Sequence, residues 1–455
     1  MVPGARETDP VRIAVLGCGN VGTALVELLT EPTRAAEIAL RAGVHLEVVG
    51  IAVQDRSRRR SEAAGFPRHL VTDDAKGLVE RDDVDVVVEL IGGLDPARAL
   101  VEASLRAGRP VVTGNKALLA VAGGELADLA AANGVDLLYE ASVAGAIPVI
   151  RPLRESLAGE RIVRIMGILN GTTNFILTQM ALEGSDYGDV LAEAQRLGLA
   201  ERDPTADVEG LDAAAKAAIL ASLAFGCDVR ADDVHHEGIT GVRVVDVAFA
   251  DRLGYVIKLL AVAELLERDQ GTDGFEEVSV RVHPAMVPKD HPLASVNGAF
   301  NAVFVEGEVS GELMLYGHGA GGRPTAGAVL GDLVDAARHL RGGAPAPAPS
   351  RRLPVRFRPA ADMRSAFYLS IDVVDRPGVL AAVAKVFGDH GVSIRSMEQV
   401  GLGAEARLIF LTHVAREGDV TATIDELHRL KVVDRVGGVL RVIGPDADPG
   451  QTARS

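Results

Sequence analysis

The chain has 455 residues, of which 48% are apolar and 24% charged, a balance typical of globular proteins and a length sufficient for two to four domains. Its formal net charge of −16 argues against a nucleic-acid partner held by general electrostatics. No apolar run has the roughly 18 residues of a membrane span, residues 1–10 do not resemble a signal peptide, and Cys18 and Cys227 are too few for a disulfide framework. We therefore expect a cytoplasmic protein with no membrane partner.

The first block, residues 1–150, is predicted to be an α/β domain with a doubly wound (Rossmann) parallel sheet. Its strands are continuous apolar runs, as in sheets that helices cover on both faces. They are predicted at residues 11–17, 46–53, 84–90, 109–114 and 135–141.

A glycine-rich loop follows the first strand and opens a helix. It carries G-x-G-x-x-G at Gly17, Gly19 and Gly22, and the strand–turn–helix context supports a dinucleotide site. Gly17 allows the tight turn, Gly19 lets the backbone approach a pyrophosphate, and Gly22 lets the helix and strand pack closely. The loop therefore predicts that the block binds NAD or NADP.

The end of the second strand leaves the choice of cofactor open. Asp55 could hold the ribose 2′-hydroxyl of NAD, whereas Arg56 and the run Arg58–Arg60 could hold the 2′-phosphate of NADP. A solvated basic loop is the alternative interpretation of these arginines. The arginines favour NADP without excluding the use of both cofactors.

Three further segments follow the first block. Residues 151–340 mix helices and strands and are predicted to form an α+β substrate and dimerisation domain. Residues 341–364 begin with a stretch rich in proline and alanine and are predicted to be a linker. Residues 365–444 follow the order β-α-β-β-α-β, which predicts a small ferredoxin-like domain.

One helix of the second block places two charges in an apolar setting. In residues 210–225 the only charged side chains are Asp212 and Lys216, which lie four residues apart and share one helix face. A surface ion pair is the simplest interpretation, but nearly every other position is apolar, and such a helix is usually buried. Because a buried lysine needs a partner or a function, Lys216 is a candidate catalytic group.

Several segments with chemical side chains or glycine turns occur in a characteristic order. They are TGNKALLA (113–120), YEASVAGAIPVI (139–150), GILNGTTNFIL (167–177), LGLAERDPTADVEGLDAAAK (197–216) and LYGHGAGGRPTAGAV (315–329). Over residues 11–340 this set resembles the homoserine dehydrogenase family, and the last block resembles an ACT regulatory domain. The resemblance implies NAD(P)H-dependent reduction of L-aspartate 4-semialdehyde to L-homoserine, in threonine and methionine biosynthesis.

The resemblance also implies a role for each matching residue. Lys216 would donate the proton, with Asp212 as its partner and Lys116 close to the reacting carbonyl and the cofactor. Glu201 would bind the amino group of the substrate, with help from Asp207. Further cofactor contacts would come from Gly17, Gly19, Asn20, Val21, Gly22, Arg56 and Gly317. A monovalent cation, typically Na⁺, would be held mostly by backbone carbonyls of Glu140, Val143, Gly145 and Ile147.

In the last block, Asp375 and Gly378 lie in a turn that opens a helix. ACT domains commonly bind an amino acid at this place, where helix amides receive its carboxylate. We therefore expect feedback inhibition by L-threonine. Because such domains usually pair, we also expect a homodimer or homotetramer, and a dimerisation module without a ligand is the alternative.

Two other functions would make different demands on the sequence. An aldehyde-oxidising semialdehyde dehydrogenase would need a cysteine nucleophile, for which only Cys227 is available in the substrate domain. A sensor that binds the cofactor without catalysis would not need a particular set of acidic and basic residues. The set present here is Lys116, Glu201, Asp212 and Lys216. His318 is expected to shape the cofactor loop, and His235–His236 to lie on the surface.

Overall fold

The computed structural model describes residues 9–57, 66–266, 276–342, 353–401 and 405–444. By their contacts the described residues form two compact units. The first unit is drawn from residues 1–160, 218–231 and 315–353, and the second from residues 161–217, 232–314 and 354–455. Within the described part of the chain, no helix is long and apolar enough to cross a membrane.

The first unit contains a sheet of six parallel strands. They are β1 (Val11–Leu16), β2 (Leu46–Ala52), β3 (Val71–Thr72), β4 (Val86–Glu89), β5 (Val111–Thr113) and β6 (Leu137–Leu138). Their order in the sheet is β3-β2-β1-β4-β5-β6. This order confirms the predicted doubly wound sheet, whose ligands bind beyond the carboxyl ends of the strands where the order reverses, here between β1 and β4.

The helices are numbered along the whole described chain. They are α1 (Asn20–Thr30), α2 (Pro32–Ala42), α3 (Ala75–Glu80), α4 (Ala97–Arg106), α5 (Lys116–Ala132), α6 (Gly171–Glu183), α7 (Tyr187–Arg196), α8 (Thr205–Val208), α9 (Leu211–Phe225), α10 (Val244–Arg252), α11 (Gly322–Gly342), α12 (Val379–Asp389) and α13 (Glu417–Leu427). In the first unit, Leu25 of α1 and Leu333 of α11 pack into the same apolar core as Val15, Ile51 and Val88 of the sheet. This core fixes the glycine loop that joins β1 to α1.

The remaining strands form a second, mixed sheet. They are β7 (Ile162–Ile168), β8 (His235–His236), β9 (Tyr255–Leu266), β10 (Glu276–Pro288), β11 (Phe300–Gly307), β12 (Gly311–His318), β13 (Val355–Phe357), β14 (Arg364–Val374), β15 (Ile394–Gly401), β16 (Glu405–Thr412), β17 (Ala415–Arg416) and β18 (Val433–Val442). The main path is β12-β11-β7-β9-β10-β18-β14-β16-β15, with β8 and β13 beside β10 and β17 beside β14.

The last four strands of that path form the C-terminal module. The order β18-β14-β16-β15, with α12 and α13 as the two helices, confirms the predicted ferredoxin-like arrangement. The module is also continuous with the rest of the sheet, because Arg441 and Val442 of β18 pair in parallel with Ala285 and Met286 of β10. The second unit therefore joins the module and the preceding α+β region through one sheet.

Two predicted segments differ in detail from the structure. In the predicted strand 135–141, only Leu137–Leu138 form a strand, and Glu140–Ser142 turn into a short 3₁₀ helix. In the predicted linker, residues 343–352 lie outside the described residues, and Val355–Phe357 form strand β13 beside β10. The domain boundaries at residues 150 and 340 stay a prediction.

Candidate active site

The glycine loop after β1 has the backbone geometry of a dinucleotide cradle. Gly17 has a φ of +94°, and a Cβ atom there would lie 2.5 Å from the carbonyl oxygen of Leu90. A Cβ atom at Gly22 would lie 2.2 Å from the carbonyl oxygen of Gly17, so α1 can approach the loop this closely only at a glycine. Nothing lies within 4 Å of the Cβ position of Gly19. The loop is therefore tight on its protein side and open where α1 presents its first amides.

The second glycine-rich stretch lies against this loop. A Cβ atom at Gly322, the first residue of α11, would lie 2.9 Å from the carbonyl oxygen of Asn20, the first residue of α1. The amide of Ala146 donates to the carbonyl oxygen of His318 over 3.1 Å. Gly317 lies one residue before His318, and its Cβ position is 3.2 Å from Cγ1 of Ile147, so the structure places it against the turn at residues 144–147 and its cofactor contact stays a prediction.

Glu89, at the end of β4, is a site residue that the sequence analysis missed. Its fully buried carboxylate accepts hydrogen bonds from the amides of residues 91–92, at 2.8 and 3.2 Å, and from the hydroxyl of Thr113 at 2.6 Å. The neighbouring Asn115 caps α5 by accepting a hydrogen bond from the amide of Leu118. These contacts fix the start of α5, where the exposed Lys116 is the first residue. The only sequence signal was an acid that closes an apolar strand.

The end of β2 gives each cofactor some support. Asp55 accepts hydrogen bonds from the amide and hydroxyl of Ser57, at 2.8 and 2.6 Å, so its carboxylate is partly engaged by its own turn. Arg56 is exposed and lies 3.8 Å from Asp73, a distance at which an exposed pair contributes little. The run Arg58–Arg60 lies outside the described residues. The choice between NAD and NADP therefore stays a prediction.

Glu140 organises the turn to which the sequence assigned a cation. Its buried carboxylate accepts hydrogen bonds from the amides of residues 149–151, at 2.6 to 2.8 Å. Its own amide donates to the carboxylate of Asp332 over 2.7 Å, and burial raises the pKa of Asp332 to about 7. Between these contacts, Ala144 and Gly145 have φ values of +56° and +58°, and consecutive left-handed residues often mark functional turns.

The side chain of Glu140 is engaged within the turn itself. Three amides already bind the Glu140 carboxylate, so this side chain is better suited to shape the turn than to ligate a metal ion. Among the described residues, no group of three or more His, Cys, Asp or Glu side chains could hold a metal. The backbone carbonyls of Glu140, Val143, Gly145 and Ile147 thus remain candidates for a monovalent cation, which binds oxygen donors without strict geometry.

The second unit contains the buried pair that the sequence singled out. Lys216 and Asp212 lie on α9 and are 9% and 7% exposed. The Nζ atom of Lys216 donates to Oδ2 of Asp212 and to the carbonyl oxygen of Leu169, both over 2.7 Å. The ammonium is therefore held out of bulk water between a carboxylate and a backbone carbonyl.

Asn170 joins this pair to the acidic segment, and the sequence analysis missed it. Its side-chain Nδ2 donates to Asp207 over 2.6 Å and to Asp212 over 3.0 Å, and its Oδ1 caps α6 by accepting from the amide of Thr173. The hydroxyl of Thr172, whose shorter contact is to the carbonyl oxygen of Leu199 at 2.7 Å, also lies 3.2 Å from a carboxylate oxygen of Asp207. The asparagine of the NGTTN motif was the only signal for this hub.

The other predicted site residues of the second unit are more exposed. Glu201 lies on the surface after α7, and Asp207 is half-buried. In the C-terminal module, Asp375 is exposed and Gly378, with a φ of +89°, directly precedes α12. His235 and His236 are exposed, as predicted. These positions agree with ligand contact but do not by themselves identify a ligand.

Cys227, in the first unit, is poorly suited to nucleophilic catalysis. It is only 3% exposed, and burial raises the pKa of its thiol to about 12. Because the thiolate is the reactive form, this cysteine does not meet the requirement of an acyl-forming aldehyde dehydrogenase.

Comparisons with known proteins agree along almost the whole chain. Family models described as "Homoserine dehydrogenase, NAD binding domain", "Homoserine dehydrogenase" and "ACT domain" match residues 17–140, 148–334 and 367–432. A homoserine dehydrogenase from Corynebacterium glutamicum is 51% identical over 440 residues, which cover 97% of each chain. One from Mycobacterium tuberculosis is 49% identical over 444 residues, which cover 96% of this chain and 99% of the relative.

Solved structures give the same result. The crystal structure of a homoserine dehydrogenase from Thiobacillus denitrificans matches with a TM-score of 0.88 and 40% identity, covering 96% of this chain and 98% of that one. A hyperthermophilic archaeal homoserine dehydrogenase in complex with NADPH matches with a TM-score of 0.58 and 31% identity, covering 72% of this chain and 98% of that one.

Proposed function

Because the chain belongs to the homoserine dehydrogenase family, we propose that this oxidoreductase catalyses the reversible reduction of L-aspartate 4-semialdehyde to L-homoserine with a nicotinamide cofactor. The buried pair of Lys216 and Asp212 carries the proposal. Reduction of an aldehyde places negative charge on oxygen, and a buried ammonium can both stabilise that charge and protonate it.

Lys216 is suited to the role of proton donor. When bound, the nicotinamide supplies the hydride. Two N–H groups of Lys216 donate to Asp212 and to the carbonyl oxygen of Leu169, so the third can donate to a substrate oxygen. Asp212 accepts one of these hydrogen bonds and thereby orients the ammonium. From the family resemblance alone, Lys116 is proposed to act close to the reacting carbonyl and the cofactor.

The acidic segment before α9 is proposed to select the substrate. L-Aspartate 4-semialdehyde carries an α-ammonium group that a plain aldehyde lacks, and carboxylates are its natural partners. Asp207 already accepts a hydrogen bond from Asn170 over 2.6 Å, which fixes its orientation, and the hydroxyl of Thr172 lies beside it. Glu201 is proposed, by resemblance, to bind the ammonium directly.

For the cofactor, we propose a preference for NADPH and a monovalent cation as a structural partner. Arg56 lies at the end of β2, where a 2′-phosphate would sit, and the partial engagement of Asp55 by Ser57 weakens the case for NAD. Comparing kcat/KM for NADPH and NADH in the wild type and in Arg56→Ala tests this preference. An unchanged ratio in the variant would remove Arg56 from the proposal. To test the cation, we would compare kcat in Na⁺ with kcat in a bulky organic cation at equal ionic strength.

For regulation, we propose that L-threonine binds the C-terminal module near Asp375 and Gly378. The start of α12 supplies amides for a carboxylate, and the module belongs to a domain class that the family model identifies as ACT. The proposal is tested by measuring the activity of the wild type and of folded Asp375→Ala as threonine is added. If the wild type does not respond to threonine, the module has another effector or serves only in assembly as a homodimer or homotetramer.

The decisive experiment for the reaction is to follow NADPH consumption with L-aspartate 4-semialdehyde and to identify the product. Homoserine formation supports the proposal. Phosphate-dependent oxidation of the semialdehyde, or cofactor binding without turnover, would each refute it.

A further inference from the structure

The last strand of the C-terminal module carries a buried cation that faces the preceding region. Arg441 of β18 has a side chain that is 7% exposed. Its guanidinium donates through Nη1 and Nη2 to both carboxylate oxygens of Glu237, the second over 2.6 Å. It also donates through Nε and Nη2 to both oxygens of Glu417, over 2.7 and 2.9 Å. Glu417 is the first residue of α13. One guanidinium therefore links Glu417 of the module to Glu237, far outside the module, through one bidentate contact to each carboxylate.

Glu237 holds its charge because of this contact. Burial by itself would raise the pKa of Glu237, but hydrogen bonds from His235 and Arg441 outweigh it, so the pKa is held below its ordinary value. The amide of Glu237 donates to the carbonyl oxygen of Val282 in β10 over 2.8 Å. The residue is therefore fixed at both its side chain and its backbone.

The residues that follow Glu237 pack directly on the segment before α9. A Cβ atom at Gly238 would lie only 2.2 Å from the carbonyl oxygen of Val208, so this approach requires glycine. The amide of Ile239 donates to the same carbonyl over 2.8 Å. Gly210, whose φ is +83°, has its Cβ position 3.2 Å from the carbonyl oxygen of Glu237. The two stretches of backbone thus fit together with no room for adjustment.

That segment carries the groups proposed for substrate binding and proton transfer. Val208 directly follows Asp207, and Gly210 lies two residues before Asp212. Asp207 and Asp212 share the side-chain amide of Asn170. A displacement of the segment would therefore change the positions of both carboxylates.

We infer that Arg441 and Glu237 are positioning residues through which the C-terminal module holds the 207–212 segment in its active geometry. The module is then a structural part of the substrate site, and an amino acid that it binds can act on the reaction through the contact between Arg441 and Glu237. The inference builds on the proposed function, which assigns the 207–212 segment to the substrate.

Three variants and one control test this inference in the full-length protein. Arg441→Lys keeps the charge but cannot make two bidentate contacts. Glu237→Gln keeps the shape of the side chain but removes its charge. Glu417→Gln weakens only the contact that Arg441 makes within the module. The control is Arg252→Gln, which breaks the exposed pair between Arg252 of α10 and Glu398 of β15. That pair also joins the module to the preceding region, but it does not involve the 207–212 segment.

The first measurement is amide hydrogen exchange by mass spectrometry of peptides that cover residues 205–216 and 237–241, without substrate. We expect faster exchange in both peptides for Arg441→Lys and Glu237→Gln, and no change for Arg252→Gln. Exchange unchanged in Arg441→Lys and Glu237→Gln would overturn the inference. Because this readout needs no turnover, it stands even if the proposed reaction is wrong.

The second measurement is steady-state kinetics with the semialdehyde, together with the Kd of NADPH. For Arg441→Lys and Glu237→Gln we expect kcat/KM for the semialdehyde to fall about 3- to 30-fold, the range for residues that modulate a site without contacting its ligand. The Kd of NADPH should change less than about twofold, and Glu417→Gln should have the smallest effect on kinetics. An equal loss of NADPH affinity would indicate general damage to the fold and would refute a positioning role. If Arg441→Lys does not fold, Glu237→Gln decides the question alone.

Discussion

Replacing Lys216 with methionine is the sharpest test of the proposed chemistry. Removal of a general acid typically costs at least about 100-fold in kcat, or about 2.7 kcal/mol of transition-state stabilisation. We expect the variant to lose that much or more, because Lys216 is the ammonium held beside Asp212 in the buried part of α9. Methionine preserves the unbranched apolar stem and lacks only the terminal ammonium, so packing on α9 should change little.

The same substitution also perturbs stability, and this effect must be separated from catalysis. At 2.7 Å the gross attraction between Lys216 and Asp212 is about 6 kcal/mol at an effective dielectric constant of about 20. Removing one partner of a buried pair typically costs about 3–5 kcal/mol of stability. We expect a value near the lower end, because Asp212 keeps its hydrogen bond from Asn170.

The assay therefore combines three variants with two measurements. Lys216→Met and the double variant Lys216→Met/Asp212→Asn should both be inactive, whereas the double variant should regain part of the lost stability because no unpaired charge is buried. Lys76→Met, which removes the lysine of an exposed i,i+4 pair with Glu80, should change neither kcat nor the melting temperature. The reasoning fails if folded Lys216→Met retains more than about a tenth of wild-type kcat, measured by NADPH absorbance with saturating semialdehyde.

Three other predictions concern the cradle and the buried polar groups. Gly19→Ala should leave the melting temperature unchanged, since its Cβ position is open, but should raise the Kd of NADPH. Gly22→Ala should lower both the melting temperature and the affinity for NADPH, because its Cβ would meet the carbonyl of Gly17. Equal melting temperatures for the two variants would contradict this. Asn170→Ala should lower kcat/KM for the semialdehyde by a larger factor than it raises the Kd of NADPH, because Asp207 and Asp212 lose their shared donor. An unchanged kcat/KM would argue against the hub. Burial lowers the pKa of Lys258 from 10.5 to about 8, so the unfolded chain binds more protons between these values and wild-type stability should rise with pH through this window. In Lys258→Met that rise, measured by urea unfolding at several pH values, should be smaller by up to about 3 kcal/mol, and an identical rise would refute the assignment.

The features that the sequence predicted best are those encoded locally. The glycine loop was predictable because its glycines are required by nearby backbone. Gly22 lies against the carbonyl of Gly17 in the same turn, and Gly17 lies against the carbonyl of Leu90 at the end of the neighbouring strand. The buried helix that carries Lys216 was predictable from its own composition. Strand β9 was not predicted, because its mainly apolar run, YVIKLLAVAELL, has no periodicity that separates a buried strand from a buried helix.

Polar residues that join distant segments were the main omissions. Glu89 binds the hydroxyl of Thr113, and Asn170 binds carboxylates at positions 207 and 212, so their roles depend on contacts that no local pattern reveals. The same reason explains Arg441, whose partner Glu237 lies 204 residues away. Composition could mark these residues as polar groups in or beside apolar runs, but only the fold supplies their partners.

The Asn170 hub also gives a physical reason for substrate selectivity. A single neutral amide holds the carboxylates of Asp207 and Asp212 together, and Lys216 compensates only one of their two negative charges. The cluster formed by these three ionisable side chains therefore keeps a net charge of −1, which favours a substrate that brings its own ammonium group. Each carboxylate oxygen can accept more than one hydrogen bond, so Asp207 can bind that ammonium without giving up Asn170 or Thr172. A plain aldehyde would bring no ammonium group to the cluster, so the cluster would discriminate between two substrates that share the same reacting group.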